Sequence, residues 1–303
     1  MKKIKNILFI LLILFSFILT SCTNKNENII NDIDYTNSKI SYLGPTGTYS
    51  EEACENYFKN KGTYIPYNTV SLAVDALIND DVNYALIPFE NTIGGLTDYV
   101  DIILNNDKLK IVGEINLTIN QNLLTLNDTK LEDIKIIYSH KQGIAQSKEF
   151  LNKNLPNAEI IEVSSTAEGA KLVHEKQDKS IAAIASTGAA KVYDLKILEK
   201  NIQQNDFNKT KFYVVSKEIN NNYNNRLAFI AKGKTEYLSL LISNINSKGK
   251  KLNIIHDRPL KTTLGEYYYF IELENCNYEE YEKIIKNISF EFRYLGSFNI
   301  IES

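Results

Sequence analysis

Five times along the chain, a short apolar segment ends in a corner of glycine and hydroxyl residues, and a helical pattern follows. These segments predict strands at Ile40–Leu43, Tyr84–Pro88, Ile136–Tyr138, Glu159–Val163 and Ile181–Ala185. Repeated alternation of strand and helix predicts an α/β domain with a mostly parallel sheet and helices on both faces. Because ligands of such folds bind outside the carboxyl ends of the strands, we expect the corners to gather around one cleft.

The corners have the chemistry of an anion site. Each leaves unpaired backbone N–H groups at the start of a helix, where the helix dipole also favours negative charge. Serine, threonine and glycine are also ordinary capping and turn residues, so a single corner does not define a function. Five of them indicate a cleft for a small molecule that carries more than one negative group.

The alternation of strand and helix ends at the polar segment Asn220–Asn225. A smaller unit follows over residues 226–303, and its pattern is strand, helix, strand, strand, helix, strand. This βαββαβ order is typical of the ferredoxin-like arrangement. The predicted elements are Arg226–Ala231, Thr235–Ser247, Leu252–Arg258, Glu266–Glu274, Tyr278–Asn287 and Glu291–Leu295.

The N-terminus predicts export. Lys2, Lys3 and Lys5 precede the apolar run Ile7–Leu19, which is too short for a spanning helix. The run ends in Leu-Thr-Ser-Cys, which looks like a bacterial lipobox, so we expect a lipoprotein signal peptide at 1–22 with Cys22 lipidated. Residues 23–38 are rich in asparagine and aspartate and predict a flexible tether. The expected location is outside the cytoplasm, lipid-anchored to the bacterial membrane, or the cytoplasm if the start is mis-assigned.

Charge and cysteine content argue against several classes of protein. The formal net charge is −3, and no basic stripe marks a nucleic-acid surface. No group of His, Cys, Asp and Glu has the spacing of a metal site, so no metal is expected. Cys54 and Cys276 fall in different predicted domains, so we expect no disulfide framework.

Short polar motifs mark both units. In the first unit they are Gly44-Pro45-Thr46-Gly47-Thr48-Tyr49-Ser50, Pro88-Phe89-Glu90-Asn91-Thr92, His140-Lys141-Gln142, Ser164-Ser165-Thr166-Ala167 and Asn208-Lys209-Thr210-Lys211-Phe212. The five in this order resemble the catalytic domain of prephenate dehydratase, over residues 39–219. The second unit carries His256-Asp257-Arg258-Pro259, Gly265-Glu266-Tyr267 and Leu295-Gly296-Ser297, and it resembles the ACT regulatory domain of the same family, over residues 226–303.

The resemblance implies a fold and a reaction. The expected fold is α/β, with a two-lobed catalytic domain like that of periplasmic binding proteins and a C-terminal ferredoxin-like ACT domain. The expected reaction is the decarboxylating dehydration of prephenate, a small dianion, to phenylpyruvate, water and CO2 in L-phenylalanine biosynthesis. This is carbon–oxygen lyase chemistry. Because the formation of an aromatic ring drives it, no cofactor is expected.

The resemblance also assigns roles to residues. Thr210, which the sequence places just before a predicted strand at Phe212–Ser216, would give a proton to the leaving hydroxyl. Its hydroxyl is a weak acid, so neighbouring groups must polarise it. Substrate-binding roles would fall to Thr46, Gly47, Thr48, Asn91, Thr92, Gln142, Ser164, Ser165, Thr166, Asn208, Lys211 and Phe212.

Three positions depart from the family pattern. Lys211 replaces an arginine, and lysine offers a point charge where arginine offers two parallel bonds, so we expect weaker or differently oriented substrate binding. Lys234-Thr235-Glu236-Tyr237-Leu238 stands in place of Gly-Ala-Leu, and His256-Asp257 in place of Glu-Ser. The family's phenylalanine site would comprise Leu238, His256, Asp257, Arg258 and Pro259. The departures leave phenylalanine binding open, and His256 is expected to lie away from the chemistry.

Three functions stay open at this point. Prephenate dehydratase is preferred, and because ACT domains usually pair, a homodimer or larger assembly is expected. Arogenate dehydratase is an alternative, since both substrates carry the same leaving hydroxyl. The third is a non-catalytic lipoprotein that binds or senses an aromatic amino acid or a related anion. Product formation that depends on Thr210 would separate the two enzymes from the third.

Overall fold

The structure is a computed structural model that describes residues 33–219 and 225–303. Residues Tyr35–Ser303 form one compact unit. The predicted signal peptide, Cys22 and the tether up to residue 32 lie outside the described residues. Within the described part of the chain, no helix combines the length and the apolar character needed to cross a bilayer.

The first lobe alternates strand and helix, as predicted. Its elements are β1 (Lys39–Leu43), α1 (Tyr49–Tyr57), β2 (Thr63–Tyr67), α2 (Val70–Ile78), β3 (Tyr84–Asn91), β4 (Gly95–Leu96) and α3 (Val100–Leu104). Strand β1 lies between β2 and β3 and is parallel to both. Thr69 begins helix α2, because its side chain accepts a hydrogen bond from the Leu72 N–H and satisfies a free donor at the helix start.

The second lobe is reached and left by long strands. In chain order, the elements that follow are β5 (Lys110–Thr118), β6 (Asn122–Thr125), a 3₁₀ turn (Leu131–Asp133), β7 (Ile136–Ser139), α4 (Lys141–Gln146), α5 (Lys148–Asn154), β8 (Glu159–Glu162), α6 (Thr166–Lys176), β9 (Ile181–Ala185), α7 (Thr187–Val192), β10 (Lys196–Glu199) and β11 (Lys209–Ser216). The long strands β5 and β11 belong to the sheet of the first lobe, and the elements between them form the second lobe. Five of these strands form a separate sheet in the order β10-β6-β9-β7-β8.

The prediction of a mostly parallel sheet is wrong, because both sheets are mixed. Strand β11 is antiparallel to β3 and β5, and β6 is antiparallel to β9 and β10. The parallel pairs of the two lobes are β1–β2, β1–β3, β7–β8 and β7–β9. The chain leaves the first lobe along β5 and β6 and returns along β10 and β11, so the strands at these crossings oppose their neighbours.

The C-terminal unit has the predicted βαββαβ order. Its elements are β12 (Arg226–Lys234), a 3₁₀ turn (Thr235–Tyr237), α8 (Leu238–Ser247), β13 (Lys251–Pro259), β14 (Glu266–Glu274), α9 (Tyr278–Ile285) and β15 (Glu291–Glu302). The four strands are antiparallel in the order β13-β14-β12-β15. Asn277 and Glu280 form a reciprocal capping box that begins α9.

The C-terminal unit is joined to the first lobe by strand pairing and by a shared hydrophobic core. The end of β15, residues 299–302, pairs in parallel with β5. Gly296 allows this approach, because a Cβ there would lie 2.1 Å from the Ile111 carbonyl oxygen and its φ of +150° disfavours other residues. The Phe89 and Phe270 rings, whose centroids are 4.8 Å apart, belong to one hydrophobic core shared by the two units.

Candidate active site

A cleft of about 1010 Å³ lies between the two lobes, and both contribute to its wall. Four of the five predicted corners line it, at the ends of β1, β3, β7 and β8. The fifth corner, after β9, packs against the first corner instead. There the Ser186 hydroxyl donates to the Gly47 carbonyl oxygen at 2.9 Å and accepts from the Ala189 N–H. The structure therefore supports the expected gathering for four corners and gives the fifth a structural role.

Strand β11 has one face on this cleft. Thr210 and Phe212 line the cleft, whereas Lys211 and Tyr213 contact the C-terminal unit. Alternate side chains of a strand point to opposite faces of a sheet, so the two sets cannot share an environment. The strand begins at Lys209 and includes Thr210, which corrects the prediction that Thr210 precedes the strand.

Asn91 holds Thr210 in a defined orientation. Its Nδ2 lies 2.9 Å from Thr210 Oγ1 and 2.8 Å from Asn208 Oδ1, and its Oδ1 accepts hydrogen bonds from the Ile93 and Gly94 N–H groups. The two N–H donors on Oδ1 fix which end of the amide faces Thr210. Since the amide donates to Oγ1, the threonine O–H remains available to donate into the cleft.

Asn208 adds a second amide to the same wall. The side chain is 1% exposed, its Oδ1 accepts from Asn91, and its Nδ2 has no hydrogen-bond partner among the described residues. A buried donor without a partner costs roughly 1–3 kcal/mol. An oxygen of a molecule bound in the cleft would remove this cost, so Asn208 is a candidate binding group.

The second lobe supplies the opposite wall. Ser164, Ser165 and Thr166 stand at the start of α6, where the Ser165 hydroxyl accepts from the Glu168 N–H at 3.0 Å. Gln142 also lines the cleft, one residue before Gly143, at which a Cβ would lie 2.7 Å from Ser139 Oγ. The close approach of α4 to β7 thus needs glycine, and it brings the predicted Gln142 to the cleft.

Three of the predicted residues near the first two corners do not line the cleft. The Thr46 carbonyl oxygen accepts from the Tyr193 hydroxyl, and the Gly47 N–H donates to Glu51 Oε2. Thr92 joins β3 to β11, because its hydroxyl donates to the Lys209 carbonyl oxygen and accepts from the Lys209 N–H. Thr48 does line the cleft. Thr46, Gly47 and Thr92 therefore hold the corners in shape, and none of the three lines the cleft.

Lys211, expected at a substrate carboxylate, lies on the other face of β11. Its ammonium is 3.1 Å from Glu114 Oε1 and 3.5 Å from Glu272 Oε1. Both carboxylates are almost fully buried, so moving the ammonium into the cleft would leave them without this cation. The expected contact of Lys211 with substrate is corrected on this ground.

Sequence reasoning missed several residues of the cleft wall. The Tyr49 hydroxyl donates to the Asn120 carbonyl oxygen at 2.6 Å, and burial raises its pKa. Gln121 and Gln146 are linked across 2.9 Å. Among the described residues that line the cleft, Lys141 is the only lysine or arginine. Lys141 occupies the variable position of the His-x-Gln motif, so the motif itself does not point to it. The sequence signal that could have found it is its place in a corner after a predicted strand.

His140 has the capping role that its position at the start of a helix predicts. Its Nδ1 accepts from the Gln142 N–H at 3.4 Å at the start of α4. Burial lowers the pKa of this imidazole, and the positive charge of Lys141 lowers it further. A largely neutral His140 leaves Lys141 as the main positive charge of the wall.

His256 contacts β3, a strand of the cleft, without lining the cleft itself. Its Nε2 is 3.8 Å from Glu90 Oε2, and Glu90 is adjacent to Asn91 on β3. Burial lowers the pKa of His256, although the charge of Glu90 opposes this. Neither His256 nor Glu90 lines the cleft, so the expectation that His256 lies away from the chemistry agrees with the described lining. Through this contact, the C-terminal unit nevertheless reaches the strand that orients Thr210.

The other residues of the expected phenylalanine site are spread along β13 and α8. Arg258 pairs with Asp101 of the first lobe, its Nε lying 3.2 Å from Oδ1. Asp257 and Pro259 are exposed, and Leu238 packs at the edge of the C-terminal core. Within residues 33–219 and 225–303, no His, Cys, Asp and Glu side chains cluster as a metal site would require.

Comparisons with known proteins show which family the chain is similar to in sequence and in structure. Residues 40–220 match the family model described as prephenate dehydratase. The chain is 30% identical over 253 residues to prephenate dehydratase of Bacillus subtilis, covering 78% of this chain and 89% of the relative. The solved structure of prephenate dehydratase from Staphylococcus aureus superposes with a TM-score of 0.75 at 27% identity, covering 86% of this chain and 100% of that chain. Prephenate dehydratase from Arthrobacter aurescens, solved in complex with L-Phe, superposes with a TM-score of 0.74 at 26% identity, covering 86% and 89%.

Proposed function

Because the chain belongs to the prephenate dehydratase family and catalyses this carbon–oxygen lyase reaction of phenylalanine biosynthesis, we propose that Thr210 is its proton donor. The substrate loses its ring carboxylate as CO2 and its ring hydroxyl as water. The electron pair of the broken C–C bond completes the aromatic ring and expels the hydroxyl. One proton is consumed, and it reaches the leaving oxygen through the Thr210 hydroxyl.

The main observation that supports this role of Thr210 is the hydrogen bond that the Asn91 amide donates to it. A threonine hydroxyl is a poor acid, so it must be oriented and stabilised as it gives up its proton. The Asn91 amide, 2.9 Å from Oγ1, donates to the oxygen on which negative charge develops. The alkoxide is reprotonated from solvent in the open cleft.

The remaining groups of the wall suit the two carboxylates of the substrate. The free Nδ2 of Asn208 and the start of α6 at Ser164 to Thr166 offer hydrogen-bond donors. Lys141 offers the positive charge that Lys211 does not bring to the cleft, and its ammonium has no carboxylate partner among the described residues. We propose that Lys141 binds one of the two carboxylates.

Turnover by Thr210 variants tests the proton donor. Thr210→Ala removes the acid, so we expect kcat to fall by about 10²–10⁴, the range of general acid catalysis. Thr210→Ser keeps a hydroxyl that Asn91 can hold and should retain most of the activity. The assay follows phenylpyruvate from prephenate by its absorbance in alkali. Equal rates for the Ala variant and the parent would contradict the assignment.

Lys141→Met tests the carboxylate contact. We expect KM for prephenate to rise at least about tenfold with kcat nearly unchanged, because a charge-assisted hydrogen bond contributes roughly 1.5–3 kcal/mol. Lys148→Met is the matched control, since Lys148 is exposed at the start of α5 and does not line the cleft. A KM that changes equally in both variants would rule out a specific contact.

The N-terminal sequence supports a further proposal, that the enzyme is exported and anchored by a lipid on Cys22. The basic start, the run Ile7–Leu19 and the Leu-Thr-Ser-Cys ending support it. Cys22→Ser should move the protein from the membrane fraction to the soluble fraction of cells. Unchanged membrane association in that variant would contradict the anchor.

A further inference from the structure

We propose that Glu272 of the C-terminal unit positions Thr210, acting through Lys211. This inference rests on the proposed role of Thr210. It makes the C-terminal unit part of the catalytic apparatus, although none of its described residues lines the cleft. We name Glu114, Lys211, Tyr213, Arg226 and Glu272 the junction cluster.

The junction cluster is centred on the Glu272 carboxylate. Its Oε1 lies 3.5 Å from Lys211 Nζ and 3.1 Å from Arg226 Nε, and its Oε2 accepts a short hydrogen bond from the Tyr213 hydroxyl. Lys211 is also 3.1 Å from Glu114 Oε1. Residues of β11, β12 and β13 thus meet at the Glu272 carboxylate of β14, and Glu114 of β5 is linked to it through Lys211. This carboxylate joins the two units by charge as well as by packing.

Burial makes this arrangement rigid. Glu272 is 0% exposed and Glu114 is 1% exposed, and Glu272 shares its face of β14 with Phe270, which packs on Phe89. A carboxylate in such surroundings is strongly destabilised unless it keeps its cationic partners. Burial, and after it the charge of Glu272, raise the pKa of Glu114 to about 7, whereas Lys211 opposes this rise. The Lys211 side chain is therefore held in place.

A displacement of Lys211 would be transmitted to Thr210, the preceding residue. Thr210 is paired with Asn91 on β3 and with Leu117 on β5, so both sides of the strand are constrained at this position. The pairing of β11 with β3 shifts register directly after Lys211. Such irregularities redirect side chains, and the anchored lysine fixes the strand where the shift occurs. The distance of 2.9 Å between Asn91 Nδ2 and Thr210 Oγ1 depends on that placement.

Glu272→Gln is the direct test, because it removes the charge and keeps the shape of the side chain. We expect kcat to fall about tenfold or more with KM for prephenate nearly unchanged, since small misplacements of catalytic groups are costly. Lys211→Arg, which keeps a cation beside Glu114 and Glu272, should retain most of kcat. Glu291→Gln is the control, because this exposed acid of the same unit pairs only with Lys232 among the described residues.

A double-mutant cycle separates positioning from a general loss of stability. If Glu272 acts through Thr210, the losses in kcat from Glu272→Gln and Thr210→Ala will not multiply in the double variant, because Glu272 has no hydroxyl left to position. If Glu272→Gln does not fold, Tyr213→Phe, which removes one bond to the same carboxylate, should lower kcat several-fold. A parent enzyme without turnover would refute the proposed function. An active parent whose folded variants at 272 or 213 keep full kcat would refute this inference.

Discussion

The two faces of strand β11 differ in their surroundings and in the charge of the groups that their side chains contact. The cleft face carries the half-buried Thr210 and the buried Phe212, and the uncharged Asn91 amide is the side-chain partner of the threonine. The far face carries Lys211 and Tyr213 and is closed by the C-terminal sheet, with two buried carboxylates as partners. Because side chains alternate along the strand, consecutive residues of one motif are divided between the cleft and the contact with the C-terminal unit.

This difference shows why a cation in a motif need not bind an anionic substrate. To reach the cleft, Lys211 would have to leave Glu114 without its cation and Glu272 with Arg226 as its remaining cation, and the desolvation of the two buried acids opposes that. Thr210 needs no charge beside it, only a donor that fixes its oxygen. The only lysine or arginine among the described cleft-lining residues, Lys141, is instead on the other lobe.

The largest effect is expected on the far face of β11, where Glu114 should make the free energy of unfolding depend on pH. The pKa of Glu114 is about 7 in the folded chain against an ordinary value of 4.5, mainly because of burial. A raised pKa of this kind contributes stability that is present below pH 4.5 and is lost as the pH rises through 7. Glu114→Gln should therefore remove about 3 kcal/mol of the decline in unfolding free energy between pH 4.5 and 8.

Urea unfolding at several pH values measures this decline. Glu52, whose pKa burial also raises to about 7, remains in the variant and should leave a residual slope of the same sign. Parallel curves for the parent and Glu114→Gln would contradict a buried acid that titrates near neutral pH.

On the cleft face, Asn91→Asp should lower kcat about a hundredfold, a loss of the size seen when one preorganised donor is removed. The introduced carboxylate keeps the acceptor for the Ile93 and Gly94 N–H groups but replaces the donor to Thr210 with an acceptor. Thr210 would then direct its O–H to that carboxylate rather than to the substrate. Steady-state rates measure the effect, and a kcat within threefold of the parent would mean that Asn91 does not orient the hydroxyl.

The smallest effect is expected at Thr92, which was predicted to bind substrate and instead links β3 to β11. Thr92→Val removes two hydrogen bonds to Lys209 at an exposed position, so we expect a loss of about 1 kcal/mol in unfolding free energy. KM should not change. Thr92→Ser is the control, and a raised KM in Thr92→Val with unchanged stability would place Thr92 in the site after all.

The candidate site could be predicted as far as local chemistry defines it. Corners of glycine and hydroxyl residues after apolar strands predicted the cleft, and four of the five line it. The order of motifs pointed to Thr210, Asn91 and Asn208, which the structure brings within hydrogen-bond distance through Asn91. The fifth corner could not be separated from the others, because capping residues look alike whether they face a ligand or a neighbouring helix.

The partners of Lys211 could not be predicted, because they come from distant segments. Glu272 lies 61 residues along the chain, in a strand whose alternation gives no sign that one acid faces inward. The antiparallel strands at the crossings were missed for a related reason. Alternation of strand and helix reports local structure, whereas strand direction depends on how the chain returns from the second lobe.

By itself the sequence determined the alternating first domain, the βαββαβ C-terminal unit and the polar corners that build the cleft, because these depend on periodicity and capping between near neighbours. Only the tertiary structure decided that Lys211 serves the junction cluster, that His256 reaches Glu90, and that Lys141 is the lysine of the described cleft lining. Burial and charge pairing are properties of surfaces that meet across the fold, and the free energy of a buried charge depends on partners that can lie anywhere along the chain.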